Sequence, residues 1–235
     1  MTGDPIHMSN PETPAEPGRR ARAGNWPAIH AERAALAADL AELDDGRWET
    51  PSLCAGLTVR EVLAHITAGA SLNSARWMAG VIRCRFDFDK QVAMRLAEQL
   101  GGSPAETLER FRRAVPSRTK PPLPVTAMLG EVIVHGEDIR RPLGIVHHRS
   151  PIEVLTQVAA YYQGSDMVVL ARGRVDGLRL VADDGPFAAG SGPLVKGPTL
   201  ALVMAMTGRA GHCDALEGDG VEVLRERCRP GFTGV

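Results

Sequence analysis

The sequence predicts an α+β protein: a helical bundle over residues 25–171, followed by a small mixed α/β unit over residues 172–230. Three observations carry this prediction. Apolar residues recur at helical spacing through the segments before residue 171. After Arg174 the spacing becomes strand-like, Gly177-Leu-Arg-Leu-Val-Ala-Asp183, with glycines at 185, 190, 192 and 197 marking turns. The chain is 235 residues long with 44% hydrophobic content, enough to bury a core without disulfides.

Residues 1–24 are rich in Pro, Gly, Glu and Arg and lack periodicity, so they read as a disordered tail without the apolar centre of a signal peptide. The first helix is expected from Asn25 as N-cap, with Pro27 in its first turn and Ile29, Leu36, Leu40 and Leu43 on one stripe. Asp44-Asp45-Gly46 ends it, and residues 46–57 form a loop. Thr58 and Glu61 have capping-box spacing and start a second helix. Its apolar face is Val59, Val62, Leu63, Ile66 and Ala70, and the pattern runs on to about Val81. A third helical region covers 89–100, breaks at Gly101-Gly102 and resumes from Ser103 to Val115, where Ser103 and Glu106 repeat the box. The proline-rich stretch 116–124 cannot be helical. A fourth helix is predicted over 125–141, and a fifth over 151–170. In the C-terminal part, 199–207 reads as an apolar helix, 215–217 as a strand and 219–227 as a short helix.

Composition excludes several classes of function. A net charge of −1 argues against a nucleic-acid partner, which would call for a basic face. No apolar run reaches the roughly 18 residues needed to cross a bilayer. Cys54, Cys84, Cys213 and Cys228 form no CxxC pair and read as reduced thiols in a cytoplasm. Lys90, Lys120 and Lys196 are the only lysines among 27 basic residues, leaving 24 arginines; with the many alanines, this is the composition of a high-GC genome such as those of actinobacteria.

The fourth helix carries the chemistry. Glu131 and His135 are four residues apart and project from one face about a turn apart, with Met128 and Asp138 on the same face. A carboxylate and an imidazole so placed can bind one divalent metal, or they can form an exposed ion pair. His65, at the edge of the second helix's apolar stripe, is either a satisfied core histidine or a third donor. Two imidazoles and one carboxylate make the ligand count of a catalytic zinc site with an open position. Asp138 reads equally as a partner that orients His135 and as a surface charge. Cys54 reads as a structural thiol. His147 and His148 read as loop residues, and His212 is a remote candidate for an extra ligand. The glycines from 185 to 197 precede no phosphate-cradling helix start.

Two stretches resemble a known family. Trp48-Glu-Thr-Pro-Ser-Leu-Cys-Ala-Gly-Leu-Thr-Val-Arg-Glu-Val-Leu-Ala-His65 is similar to the opening of the DinB-like family that includes the mycothiol-dependent maleylpyruvate isomerase. Gly130-Glu-Val-Ile-Val-His-Gly-Glu-Asp-Ile-Arg-Arg-Pro-Leu-Gly144 is similar to that family's second motif. Gly197 to Arg209 and Leu216 to Asp219 resemble its second domain more loosely, and Leu57 stands where many relatives carry Trp. The resemblance implies a DinB-like four-helix bundle, a divalent metal (usually zinc) on His65, Glu131 and His135, and mycothiol as thiol cosubstrate. It also implies Arg209 as the catalytic arginine; Arg140 and Arg141 are further candidates for holding substrate or cosubstrate, or simply favourable charges at a helix C-terminus.

On this reading a thiolate attacks a small electrophilic substrate, as an isomerase if the thiol leaves again and as an S-transferase if it stays. A metal-dependent hydrolase on the same bundle, and a non-catalytic metal- or ligand-binding protein, are the alternatives. Oligomeric state stays open, a homodimer included.

Overall fold

The computed structural model describes residues 24–146 and 150–233. The predicted tail (all but Gly24) and His147 and His148 lie outside the described residues. Four helices make the bundle: α1 (Trp26–Asp39), α2 (Val59–Ser71), α5 (Pro104–Ala114) and α6 (Val125–Arg140). α1 and α2 both pack against α5 and α6. Two further helices, α3 (Ser74–Arg83) and α4 (Phe88–Leu100), form a side pair, with α4 against α2. Then come α7 (Ile152–Gly164) and the single turn α8 (Arg172–Val175). The C-terminal part holds β1 (Arg179–Ala182), β2 (Ala188–Gly190), β3 (Leu194–Gly197), α9 (Thr199–Met206) and α10 (Val221–Arg227).

β1 is the central strand of the three-stranded sheet. It pairs antiparallel with β2, Arg179 opposite Gly190, and parallel with β3, Arg179 opposite Leu194. The α+β class expected from the change in periodicity is the one observed. One apolar core runs through both parts, from Ile29, Leu36, Leu63, Phe111 and Leu129 in the bundle to Leu202, Val203 and Met204 on α9. α9 is apolar on nearly every side, so it can only sit inside, where it packs against α7. α7 also closes on α6: a Cβ at Gly130 would stand 2.7 Å from the Tyr162 hydroxyl, so only glycine permits this approach.

Several helix ends differ from expectation. α1 stops at Asp39, before Leu43, and the Asn25 side chain reaches Thr126 Oγ1 (3.1 Å) instead of capping it. The second helix does not run to Val81. Leu72 turns extended, and Asn73 accepts from the Arg76 amide (2.9 Å) to start a separate helix, α3. α7 ends at Gly164, short of Leu170, where Asp166 accepts from the Gly173 amide and Arg172 Nε. Residues 215–217 contribute a single bridge, Lys196 to Glu217, and no strand. The capping box of Thr58 and Glu61 is complete, but at Ser103 only half forms, because the Glu106 carboxylate takes the Gly102 amide (2.7 Å).

Candidate metal centre

α2 and α6 bring His65, Glu131 and His135 together. Thr58 and Glu61 fix the start of α2, and the buried face Val59, Val62, Leu63 and Ile66 fixes its rotation. His65 then emerges at the helix edge facing α6. Glu131 Oε2 lies 3.6 Å from His65 Nε2 and 3.5 Å from His135 Nε2. The two rings meet edge to face, with centroids 5.0 Å apart.

These separations bear on the two readings open from the sequence, and they lie within ion-pair range. They are long for hydrogen bonds. Yet atoms bound at about 2.0–2.1 Å in tetrahedral directions around one zinc ion stand about 3.4 Å from one another. The potential donor atoms of the three residues all lie within 4.8 Å of one another. The donor set therefore fits one divalent cation.

Behind His135 the arrangement continues. Its Nδ1–H donates to Asp138 Oδ2 at 2.9 Å; a carboxylate can only accept, so Nε2 is left to act as a donor of electrons. Asp138 is fully buried, which decides between orienting partner and surface charge. Arg209 comes from the C-terminal part, 71 residues away, and clamps the same carboxylate through Nε (3.0 Å) and Nη2. Its Nη1 donates to the Thr207 carbonyl (2.7 Å).

Charge follows from this packing. Burial alone would raise Glu131, but the His135 and His65 imidazoles facing it outweigh that and hold the carboxyl far below its ordinary range. Burial alone would lower His135, but Asp138 and Glu131 lift it to about 9 in the metal-free protein. A metal entering at neutral pH would therefore displace a proton from His135. Burial would raise Asp138 as well, yet His135 and Arg209 keep it low.

Cys54 approaches from the loop before α2. The Leu53 amide donates to the Asp138 carbonyl (3.1 Å), and this seats Cys54 near His135 and Asp138. Burial and the Asp138 charge push its thiol up, so it rests protonated. No local sequence signal marks this contact, because it spans more than 80 residues.

The other arginines go elsewhere. Arg140 is buried with Nε on Asp39 (2.6 Å), and Arg141 meets His212 Nδ1 (3.0 Å) and the Gly211 carbonyl (3.3 Å). His212 is thereby placed beside Arg141 rather than in the cluster; burial and Arg141 lower it to about 4. His65 and Glu131 open on a cleft walled by Trp77, Phe88, Val92, Leu123 and Met128. Arg33, which drew no attention in the sequence, also lines it.

Fold and site together define a helical-bundle protein with a His-Glu-His donor set at the foot of an open cleft. Comparison with known proteins agrees with the resemblance read from the sequence. Residues 29–122 match the family model described as the mycothiol maleylpyruvate isomerase N-terminal domain; the match includes His65 and ends before α6. Two solved structures share the fold: the mycothiol-dependent maleylpyruvate isomerase and a histidine-to-alanine mutant of it. Each gives a TM-score of 0.58 at 16% identity, over 84% of this chain and 92% of that chain. No curated protein matches the sequence. Among the described residues, no helix is long and apolar enough to cross a membrane.

Proposed function

We propose that the protein is a cytoplasmic mycothiol-dependent enzyme, an isomerase or S-transferase, with His65, Glu131 and His135 as ligands of one divalent cation. The observation that carries this reading is the convergence of three donor atoms at the foot of a cleft, with the separations one shared ion would impose. When bound, a cation such as zinc supplies Lewis acidity that favours the thiolate form of a thiol at its open position.

The chain's own residues do the rest. Asp138 holds the His135 ring by its Nδ1–H, and Arg209 holds Asp138. Two of the five guanidinium N–H bonds of Arg209 remain free of these contacts, and a substrate carboxylate can use them. Arg140 and Arg141 serve the scaffold, joining α6 to α1 and to the segment after α9. The apolar cleft walls limit water at the reacting atoms. In the isomerase, the thiolate sulfur bonds to one carbon of a cis double bond, and the electron pair moves to the adjacent acyl group. The former double bond rotates, the carbon–sulfur bond breaks, and thiolate leaves with the trans product. In an S-transferase the carbon–sulfur bond persists and the carbanion takes a proton.

The test is turnover of cis-unsaturated acids and other small electrophiles with and without mycothiol. Thiol-dependent turnover that disappears in Glu131→Ala is the expected result. Turnover without thiol would make the protein a hydrolase, and metal binding without any turnover would make it a binder.

A further inference from the structure

Arg33 is a buried cation without a counter-ion. It sits on α1, is 1% exposed, and its recorded hydrogen bonds run from Nη1 to the carbonyls of Ala114 (3.3 Å) and Ser117 (2.9 Å). Its Nε is buried with no partner. Among the described residues, no ion pair involves Arg33. Burial alone lowers it, to about 10. The contrast with Arg140 is direct: equally buried, it has the Asp39 carboxylate at 2.6 Å.

A guanidinium enclosed without an anion is costly, and folded proteins rarely leave one so. Arg33 lines the same cleft as His65 and Glu131. With Nη1 committed to backbone and Nε sealed from solvent, Nη2 is the nitrogen left to a ligand, and it can donate a charge-assisted hydrogen bond to a carboxylate. Trp77, Phe88 and Val92 line the same cleft, a surface for the apolar body of a ligand.

We propose that Arg33 is an anion-holding group of this cleft, separate from Arg209: it binds a carboxylate of a small organic acid whose apolar part lies against Trp77, Phe88 and Val92. The proposal rests on the reading above only in placing the reaction in this cleft, since carboxylate binding requires no thiol.

The test compares phenylpropionate with the neutral phenylpropionamide by calorimetry, without thiol, on the full chain loaded with zinc. The unmutated protein should prefer the acid by about tenfold or more, the scale of one charge-assisted pair. Arg33→Met should bring the two affinities together, and Arg33→Lys should retain part of the difference. The Arg33 Nε–H signal in nitrogen-correlated NMR should move on adding the acid and not the amide. Equal affinities in the unmutated protein, or no binding of the acid, would overturn the proposal. So would a preference that survives Arg33→Met and vanishes in Glu131→Ala, which would put the anion on the metal site. If Arg33→Met does not fold, the Nε–H signal of the unmutated protein decides alone. Thiol-independent binding of this kind together with absent turnover would sink the proposed enzyme activity and leave Arg33 in its role.

Discussion

The polar stripe on α6 has two ends that differ in who supplies the partners. At the Asp138 end the chain supplies all of them: the His135 ring, the fork of Arg209, and the Leu53 amide on the backbone carbonyl. That carboxylate has no exposure left. At the Glu131 end the chain supplies donors and stops. Glu131 and His65 keep about a quarter of their side-chain surface exposed, 24% and 26%, and open on the cleft. A helix face can thus be rigid at one end and available to a ligand at the other, within two turns. His135 joins the two, with Nδ1 to the closed end and Nε2 to the open one.

The largest expected effect breaks the open end. Glu131→Ala removes the donor that both imidazoles share. Protein purified without chelator or affinity nickel should hold about one divalent cation per chain, by mass spectrometry, and Glu131→Ala should hold none while the helical content stays. His65→Ala and His135→Ala should behave alike. Stoichiometric metal in all three variants would sink the donor set.

Next comes the closed end. Asp138→Ala leaves Arg209 buried without a counter-ion, and breaking a buried pair in this way costs about 3–5 kcal/mol. Chemical denaturation reads it directly, and a loss under about 1 kcal/mol would mean that Arg209 swings out to solvent. The same carboxylate gives metal-free protein a pH dependence. His135 titrates near 9 when folded against 6.5 as a free side chain. The stability it contributes is complete below about pH 6.5 and lost as pH rises through about 9. Melting of chelator-treated protein should therefore fall between those two values, and less so in a milder variant, Asp138→Asn. A flat profile would mean that His135 is already neutral.

The two ends were not equally legible in the sequence. Glu131 and His135 could be read because an i, i+4 pair on a helix is a local fact. The capping box at Thr58 was legible for the same reason. His65 could be joined to them only as a possibility by spacing, and by name only through the resemblance. The closed end is a long-range object. Asp138 was evenly balanced between a partner orienting His135 and a surface charge, since nothing local announces that a guanidinium 71 residues away will cover it. Arg33 was invisible: beside Glu32 on an alanine-rich helix it looks like a solvated charge. The boundary at Leu72 was missed because Trp77, Met78 and Val81 continue an apolar pattern through the break, and the Asn73 cap decides the matter only once α3 has α4 to pack on.

The smallest effect sharpens the comparison by asking what holds the open end in place. Thr58→Ala removes the hydroxyl that accepts from the Glu61 amide and releases the Glu61 carboxylate from the Thr58 hydroxyl (2.9 Å). The loss should be about 1 kcal/mol. His65 lies two turns further on, and Val59, Val62, Leu63 and Ile66 anchor the helix between them. If that packing positions His65, zinc affinity in Thr58→Ala should stay within about twofold of the unmutated protein, well short of the tenfold that 1.4 kcal/mol would bring. An affinity loss as large as the stability loss would show that the helix start, and not the buried face, sets the third donor. The open end would then depend on its fringe as the closed end does not.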